Sequence, residues 1–491
     1  MPQQHTPHLS LADGLTREYL THHRLCPREW AADGALVVAA APDALLDGLD
    51  DLAFAYGKEV RVERVDGGEL ERLIERITTR TERSIELARA GTDADDDLTA
   101  DVRDLANQAP VVRYVNLLVR DAFDARASDI HLEATRAGLA ARYRLDGVLV
   151  PAAEPPSRMH QAVVSRIKLL AELDIAERRR PQDGRIRVRL ETRELDLRVS
   201  TVPTMYGESV VLRLLDHGGR PVTLSELGMS PSVLTTVERL ARRPHGIVLV
   251  TGPTGSGKTT TLYAALQLRD AMAEKIITVE DPIEYQLTGI AQVPVHRQAG
   301  VTFASVLRSI LRQDPDVIMV GEMRDRETAE IAVQAAMTGH LVFSTLHTND
   351  AVGAVPRLVD LGVPDYLLAA TLEGVLAQRL VRRICEDCRT TYSPSPEAVA
   401  TLAGKPVLGM TLARGAGCAS CRGTGFHGRV GVFELLVVTD DVKDAITQQA
   451  ARAKLRTVAA AAGLVSLRTD GWQKVQAGLT TVEEVLRVVH E

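Results

Sequence analysis

Nine consecutive residues, GPTGSGKTT, carry the most specific chemical pattern in the sequence. They match G-x-x-x-x-G-K-[ST], follow the β-branched run GIVLV and precede a helical pattern, which is the context of a phosphate-binding loop. The glycines let backbone N–H groups turn toward a phosphate, and the helix N-terminus adds partial positive charge. Lys258 is predicted to reach the β- and γ-phosphates of a nucleotide, and Thr259 to ligate Mg²⁺. The predicted nucleotide-binding residues are Gly252, Pro253, Thr254, Gly255, Ser256, Gly257, Lys258, Thr259 and Thr260.

Acidic side chains follow two other strand-like runs, KIITVED and DVIMVGE. The first run ends in Glu280 and Asp281, with Glu284 shortly after them, and the second ends at Glu322. Ligands of an open parallel sheet bind beyond the carboxyl ends of its strands, so these carboxylates are expected beside the phosphates. A carboxylate there can hold Mg²⁺ or orient water. His347 follows a third run, LVFSTL, and is a candidate sensor of the γ-phosphate, although a lone histidine is as often structural.

Four of the five cysteines form two C-x₂-C pairs, Cys385 with Cys388 and Cys418 with Cys421, with 29 residues between the pairs. This spacing is typical of a tetrathiolate zinc site. A disulfide framework is disfavoured by a reducing compartment, and a thioredoxin-like redox motif would stand alone near the start of a βαβ unit. Four thiolates leave no open position for water, so the predicted zinc is structural. Cys26 is expected to be a buried thiol.

Composition limits the classes of function. The 491 residues suggest three or four domains, and 45% hydrophobic with 25% charged residues indicates a globular protein with substantial cores. A net charge of −7 and an aromatic content of 3% argue against nucleic acid as a partner. No apolar run approaches the roughly 20 residues that cross a bilayer, and no signal-peptide pattern is found. We therefore expect a protein of the reducing cytoplasm.

Hydrophobic periodicity predicts the strands and helices around these residues. The runs GIVLVTG, KIITVED, DVIMVGE and LVFSTLH lack polar alternation and are separated by helical patterns, which predicts an α/β fold with a parallel sheet covered on both faces. Runs nearer the N-terminus, such as RIRVRL and ELDLRVSTV, alternate apolar and polar residues, as half-buried strands do. The predicted divisions are a small α/β module at 1–90, an acidic linker at 91–103, a lobe at 104–216, a hinge linker at 217–225, the P-loop core at 226–384, a cysteine module at 385–430 and a helical C-terminal region at 431–491.

The order of several motifs is similar to that of one protein family. ASDIHLE, RYRLDG, RRRPQDGR and LRVSTVPTMYGESVVLRLL precede the P-loop, and VEDPIEY, VGEMRDRETAE and TGHLVFSTLHTNDA follow it. In this order they resemble the motor ATPases of type II secretion and type IV pilus assembly, closely over 104–491 and more loosely over 1–90. The resemblance implies a P-loop RecA-like ATPase domain after an α/β, PAS-like lobe, a ring of six identical subunits, and ATP, Mg²⁺ and Zn²⁺ as ligands.

The resemblance also implies roles for single residues. Glu322 matches the Walker-B acid. Glu280 matches the acidic-box glutamate, which in retraction members is taken as the base for water. Which of the two carboxylates takes the proton stays open. His347, and less closely His340, match the histidine box.

Arg198 and Arg213, in the lobe before the hinge linker, match arginines that the family uses in the nucleotide site of a neighbouring subunit. Phosphoryl transfer needs fixed positive charge on its equatorial oxygens, and a planar guanidinium donates two hydrogen bonds to such a group. An arginine finger is worth about 10³-fold or more in rate. Without the resemblance, alternation along strands would favour a purely solvent-facing role.

The function expected from this resemblance is a cytoplasmic hexameric ATPase that powers pseudopilus assembly and export by a type II secretion system. The cysteine module favours export over retraction, and a type IV pilus assembly motor remains an alternative. A nucleic-acid translocating motor and a scaffold without hydrolysis are weaker alternatives, because of the acidic charge and the complete set of catalytic residues. The expected partners are the cytoplasmic part of an inner-membrane docking protein, bound through 1–90, and a polytopic platform protein, with peripheral attachment to the membrane.

Overall fold

The computed structural model describes residues 17–31, 34–45, 48–56, 58–75, 77, 109–156, 159–190, 193–216, 222–405 and 409–489. The chain forms two compact units, one made of Met1–Leu117 with Pro155–Arg178, the other of Leu118–Glu154 with Arg179–Glu491. The predicted lobe at 104–216 is therefore shared between both units. The predicted acidic linker, and residues 217–221 of the predicted hinge, lie outside the described residues.

The first unit contains a small α/β module. Its elements are α1 (Arg17–His23), β1 (Leu25–Trp30), β2 (Leu36–Ala40), α2 (Gly48–Tyr56) and β3 (Val60–Arg64), followed by a helical stretch at 67–75. β2 lies between β1, which is antiparallel to it, and β3, which is parallel. Strand β1 was not predicted, because LCPREW contains a proline and two charges; its pairing with β2 shifts register between Pro27 and Glu29. Helix α3 (Ala109–Asp124) begins in this unit, which also holds α4 (His160–Leu170).

The second unit begins with a six-stranded antiparallel sheet. Its strands are β4 (Asp129–Ala134), β5 (Leu139–Leu145), β6 (Val148–Pro151), β7 (Gln182–Leu190), β8 (Arg193–Thr204) and β9 (Gly207–Asp216), in the order β6-β5-β4-β9-β8-β7. Along β8 the apolar residues at 195, 197 and 199 are buried, whereas 196, 198 and 200 are half-buried. The predicted strand alternation is therefore present, and it leaves one face of this sheet charged.

The second sheet has seven strands. They are β10 (Gly246–Thr251), β11 (Ile276–Glu280), β12 (Ala291–Pro294), β13 (Val317–Val320), β14 (Leu341–Leu346), β15 (Leu372–Ile384) and β18 (Phe426–Val437), in the order β12-β11-β13-β14-β10-β15-β18. Neighbouring strands from β12 to β15 are parallel, and β18 is antiparallel to β15. Every residue of β10, β13 and β14 is buried, as expected for a parallel sheet with both faces covered.

Two hydrophobic clusters cover the faces of this sheet. One contains residues of α5 (Pro231–Ala241) and α6 (Lys258–Leu266). The other contains residues of α7 (Phe303–Ile310), α8 (Arg326–Met337), α9 (Ala354–Asp360) and α10 (Asp365–Thr371). The α/β fold with helices on both faces is therefore confirmed.

The C-terminal part differs from the prediction at one boundary. The region at 431–491 was predicted to be helical, but it begins within β18, whose apolar run GVFELLVV pairs with β15 from Val437 to Phe426. The cysteine module is thus an excursion between two neighbouring strands, with β16 (Arg389–Tyr392), α11 (Pro396–Ala403) and β17 (Leu412–Gly415). Helices α12 (Asp440–Thr447), α13 (Arg452–Ala461), α14 (Leu467–Gln476) and α15 (Val482–Val488) follow. Among the described residues, no helix combines the length and apolar character needed to cross a membrane.

Candidate functional site

The P-loop joins the carboxyl end of β10 to the N-terminus of α6. β10 ends at Thr251 in the middle of the sheet, and α6 begins at Lys258. Gly252 has a φ of 151° and Gly257 a φ of 84°, values that favour glycine. A Cβ atom at Gly252 would lie 2.5 Å from the carbonyl oxygen of Gln378, which excludes any larger residue unless the backbone moves. The loop therefore has the shape and position of a phosphate site at a helix N-terminus.

The side chain of Lys258 is folded over this loop. Its Nζ donates to the carbonyl oxygens of Gly252, at 2.8 Å, and Pro253, at 3.0 Å. Burial lowers the pKa of Lys258 to about 8, although the carboxylate of Glu322 opposes the shift. Lys258 and Thr259 are half-buried, and the tip of the loop is exposed. A phosphate could therefore reach the ammonium group and the loop N–H groups from solvent.

Glu322 and His347 lie together at the same edge of the sheet as the P-loop. They follow the neighbouring strands β13 and β14, and His347 Nε2 is 3.3 Å from Glu322 Oε2. The same carboxylate oxygen is 2.6 Å from Nε of Arg324. His340 precedes β14 and lies at the opposite edge, where its Nδ1 is 2.8 Å from the carbonyl oxygen of Ala335. His340 is therefore placed to hold the end of α8 and takes no part in this site.

Glu280 ends β11 but is enclosed by side chains. It is 2% exposed, and Tyr263 donates to Oε2, while Thr278 and Gln292 donate to Oε1 at 2.5 and 3.1 Å. A carboxylate with its acceptors engaged in this way is held in place, and it offers little access to water. Asp281, the next acid along the chain, is exposed, and Glu284 is half-buried. The role of Glu280 as general base thus stays a prediction, and its contacts fit a positioning role better.

Arg198 and Arg213 are brought together by the register of the antiparallel sheet. Arg213 on β9 is directly opposite Arg198 on β8, and Arg198 is directly opposite Arg185 on β7. The three arginines therefore form one row across three neighbouring strands, on the same face of the sheet. Asp129 on β4 faces Arg213 and accepts from its Nε at 2.9 Å. Arg185 was missed from the sequence, because membership of the row depends on strand register rather than on a motif.

This row opposes the stability of the sheet, because like charges directly opposite each other repel. Nε of Arg198 is buried and has no hydrogen-bond partner, and the side chain of Arg213 is 62% exposed. Within the described residues, neither arginine has a hydrogen bond or an ion pair to a P-loop residue. Such a row is suited to a polyanion that is brought to it.

The four predicted metal-binding cysteines form one cluster. Their Sγ atoms all lie within 4.8 Å of one another. The Sγ–Sγ distances are 3.8 Å for Cys385–Cys418 and Cys388–Cys421, and 3.7 Å for Cys418–Cys421. Tetrahedral Zn–S bonds of about 2.3 Å place sulfurs about 3.8 Å apart, whereas a disulfide needs about 2.0 Å. The cluster therefore fits a tetrahedral metal ion and does not contain a disulfide.

Backbone N–H groups also point at the cluster. Burial raises the pKa of the Cys421 thiol. The N–H groups of Cys418 and Gly425, each 3.2 Å from its Sγ, together with the thiols of Cys418 and Cys388, outweigh burial and bring the pKa to about 6. The turn is tight, because a Cβ atom at Gly415 would lie 1.9 Å from the carbonyl oxygen of Gly425. The chain thus presents a thiolate-stabilising turn of the kind that thiolate–metal sites use.

Comparisons with known proteins agree with these features. A family model described as "Type II/IV secretion system protein" matches residues 104–487. Type II secretion system protein HxcR of Pseudomonas aeruginosa is 52% identical over 391 residues, 80% of this chain and 80% of that protein. Type II secretion system protein E of Xanthomonas campestris pv. campestris is 46% identical over 485 residues, 97% of this chain and 85% of that protein. Type II secretion system ATPase E of Vibrio cholerae is 48% identical over 391 residues, 80% of this chain and 78% of that protein.

Solved structures share the fold. The pilus retraction motor PilT with bound ADP is 27% identical with a TM-score of 0.50, covering 76% of this chain and 96% of that chain. The ATPase DotB of Legionella pneumophila has a TM-score of 0.57 over 77% of this chain and 95% of that chain. At 20% identity, DotB supports the fold alone.

Proposed function

Because the chain belongs to the type II/IV secretion system protein family, we propose that it is a cytoplasmic ATPase that powers pseudopilus assembly and export by a type II secretion system. The observation that carries this proposal is the P-loop with Lys258 at its helix N-terminus and Glu322 beside it, in a chain 46–52% identical to type II secretion proteins. The working form is a homohexamer, and Mg²⁺ accompanies the nucleotide.

In the proposed reaction the P-loop N–H groups and Lys258 bind the β- and γ-phosphates of ATP. Lys258 exchanges its two loop carbonyl acceptors for phosphate oxygens as the nucleotide arrives. Thr259 and Glu322 hold Mg²⁺, which neutralises charge on the phosphates. His347, hydrogen-bonded to Glu322, reports the state of the γ-phosphate to the end of β14. Glu280 or Glu322 orients the water.

Arg198 and Arg213 of a neighbouring subunit complete the site in this proposal. Their shared row presents guanidinium groups to the γ-phosphate when the antiparallel sheet approaches, and hydrolysis releases it. The proposed hinge for this movement is the predicted linker at 217–225, whose residues 224 and 225 begin a short 3-10 helix, Leu224–Leu227. Coupling of hydrolysis to this movement is what turns ATP cleavage into mechanical work.

Zinc is the ion proposed for the four cysteines. Their sulfur spacing, with no fifth donor among the described residues, fits a closed tetrahedral site, which supplies structure and leaves no position for water. Zinc here stabilises the excursion between β15 and β18.

The proposed partners are the cytoplasmic part of an inner-membrane docking protein and a polytopic platform protein, so the ATPase is peripheral to the membrane. We expect no binding of nucleic acid. A type IV pilus assembly motor is the second candidate, because the cysteine cluster does not distinguish it from a secretion ATPase. Complementation of a secretion-deficient strain and of a pilus-deficient strain would separate the two.

The test of the proposed function is ATP hydrolysis by the purified full chain. Wild type is expected to release phosphate from ATP in the presence of Mg²⁺, and Lys258→Ala to lose at least about 100-fold in rate, because the phosphates lose their cation. Wild type that neither binds nor cleaves ATP, with or without its membrane partner, would overturn the proposal.

A further inference from the structure

Gln378 is a buried amide that lies beneath the P-loop. It is on β15 and is 2% exposed. Its neighbour Ala377 pairs with Thr251, the last residue of β10. Gln378 therefore stands level with the first residue of the loop, on the adjacent strand.

The two ends of this amide bond to the two parts of the nucleotide site. Nε2 donates to the carbonyl oxygen of Ser256 in the loop at 2.8 Å. Oε1 accepts from the hydroxyl of Thr261 in the first turns of α6 at 2.6 Å. The amide of glutamine is neutral, and it can donate to a carbonyl with its nitrogen while its oxygen accepts from a hydroxyl. Glutamate would lose the donor, and leucine would lose both bonds.

The loop is also packed directly against Gln378. A Cβ atom at Gly252 would lie 2.5 Å from its carbonyl oxygen, and one at Gly257 would lie 2.9 Å from its Nε2. Two of the three loop glycines with positive φ, Gly252 and Gly257, thus fit around this residue. The backbone oxygen of Gln378 accepts from Nη1 of Arg379 at 3.1 Å, which fixes the strand beneath the loop.

We propose that Gln378 is a positioning residue for the nucleotide. It holds Ser256 and Thr261 so that the loop N–H groups face the phosphates before a nucleotide arrives. This inference rests on the proposed function of the P-loop. Without the amide, the loop becomes ordered only when nucleotide binds. The binding of the substrate and the binding of the transition state are therefore weakened equally. The Kd for ADP and the KM for ATP then rise, while kcat at saturating ATP stays close to that of wild type.

The experiment is calorimetric titration of the purified full chain with ADP and Mg²⁺, together with KM and kcat for ATP. Gln378→Glu and Gln378→Leu are each expected to weaken ADP binding about tenfold, the effect of leaving a buried polar partner unsatisfied. Thr261→Val is expected to weaken it in the same direction, and Thr261→Ser, which keeps the hydroxyl, to restore it. If the Gln378 variants do not fold, the Thr261 pair carries the test.

Thr480→Val is the matched control. Thr480 is fully buried, and its hydroxyl donates to the carbonyl oxygen of Arg382 at 2.8 Å. Arg382 is on β15, as Gln378 is, but lies farther from the P-loop. It is expected to lower thermal stability and to leave ADP affinity unchanged. If the Gln378 variants and Thr261→Val bind ADP as tightly as wild type, the inference about Gln378 is wrong, while the proposed function stands. The inference is also wrong if Thr480→Val loses as much ADP affinity as the Gln378 variants. A wild type that binds no ADP would instead overturn the proposed function.

Discussion

At the residue scale, the protonation of Lys258 controls how the P-loop meets a phosphate. In the free protein its ammonium group is bound to loop carbonyls, and burial lowers its pKa to about 8. A bound phosphate favours the charged form and raises this pKa. At about pH 8 part of the free protein is deprotonated, so nucleotide binding takes up protons there.

The affinity for ADP is therefore expected to be constant well below pH 8 and to fall as pH rises through about 8. Calorimetric titrations in two buffers of different ionisation enthalpy measure the proton uptake directly. Lys258→Ala is the control, in which the uptake disappears along with most of the affinity. An affinity that does not change between about pH 7 and pH 9 would contradict the shifted pKa.

The two candidate carboxylates, Glu280 and Glu322, have different surroundings. Glu322 is beside the P-loop lysine and His347, whereas Glu280 is enclosed by Tyr263 and other donors. Glu322→Gln is expected to lower kcat by about 100-fold or more, because a group that acts on water or Mg²⁺ is lost. Glu280→Gln is expected to lower kcat by less than about tenfold. Steady-state ATPase rates decide between them, and the reverse order would restore Glu280 as the base.

At the element scale, the cysteine module is connected to the antiparallel sheet. Arg422, directly after Cys421, donates to both carboxylate oxygens of Asp121 on α3, at 3.1 and 2.7 Å. Asp146, in the turn between β5 and β6, accepts from the backbone N–H of Gly428 at 2.8 Å. The residues that follow Cys421 therefore contact α3 through Arg422 and the antiparallel sheet through Gly428, at the start of β18.

We expect about one zinc ion per chain by elemental analysis and its loss in Cys421→Ser, since three thiolates bind zinc more weakly than four. Hydrogen exchange is expected to rise in the cysteine module and also in 139–151, because the turn that holds Asp146 loosens. Cys26→Ser, which alters a buried thiol of the first unit, is the control and should keep its zinc. Wild type without zinc, or a variant whose exchange rises only within the module, would contradict this connection.

Local patterns made several of these elements predictable. GPTGSGKTT predicts a loop before a helix because its glycines meet a local backbone requirement, and the cysteine spacing predicts a cluster because each pair closes one turn. The pairing of β15 with β18 could not be read in this way, since the two strands are separated by the whole cysteine module. The register that aligns Arg185 with Arg198 and the burial of Gln378 also depend on neighbours distant in sequence.

At the scale of the whole molecule, two sets of candidate site groups lie on different sheets. The P-loop, Glu322 and His347 share one edge of the seven-stranded sheet. The arginine row belongs to the six-stranded sheet, and among described residues it has no bond to the P-loop. The proposed function is compatible with this separation, because in a ring the arginine row of one subunit can meet the P-loop of its neighbour.

The most direct test is the ATPase rate of mixed assemblies made by co-expressing Lys258→Ala chains with Arg213→Ala chains under two different affinity tags. Each variant alone is expected to be nearly inactive, because every site lacks either its lysine or its arginine. In a mixed assembly, the intact P-loop of one chain can meet the intact arginine row of the other. Doubly purified mixtures are expected to regain a substantial fraction of the wild-type rate. A mixture no more active than its two components would contradict the claim that the neighbouring subunit supplies the guanidinium groups.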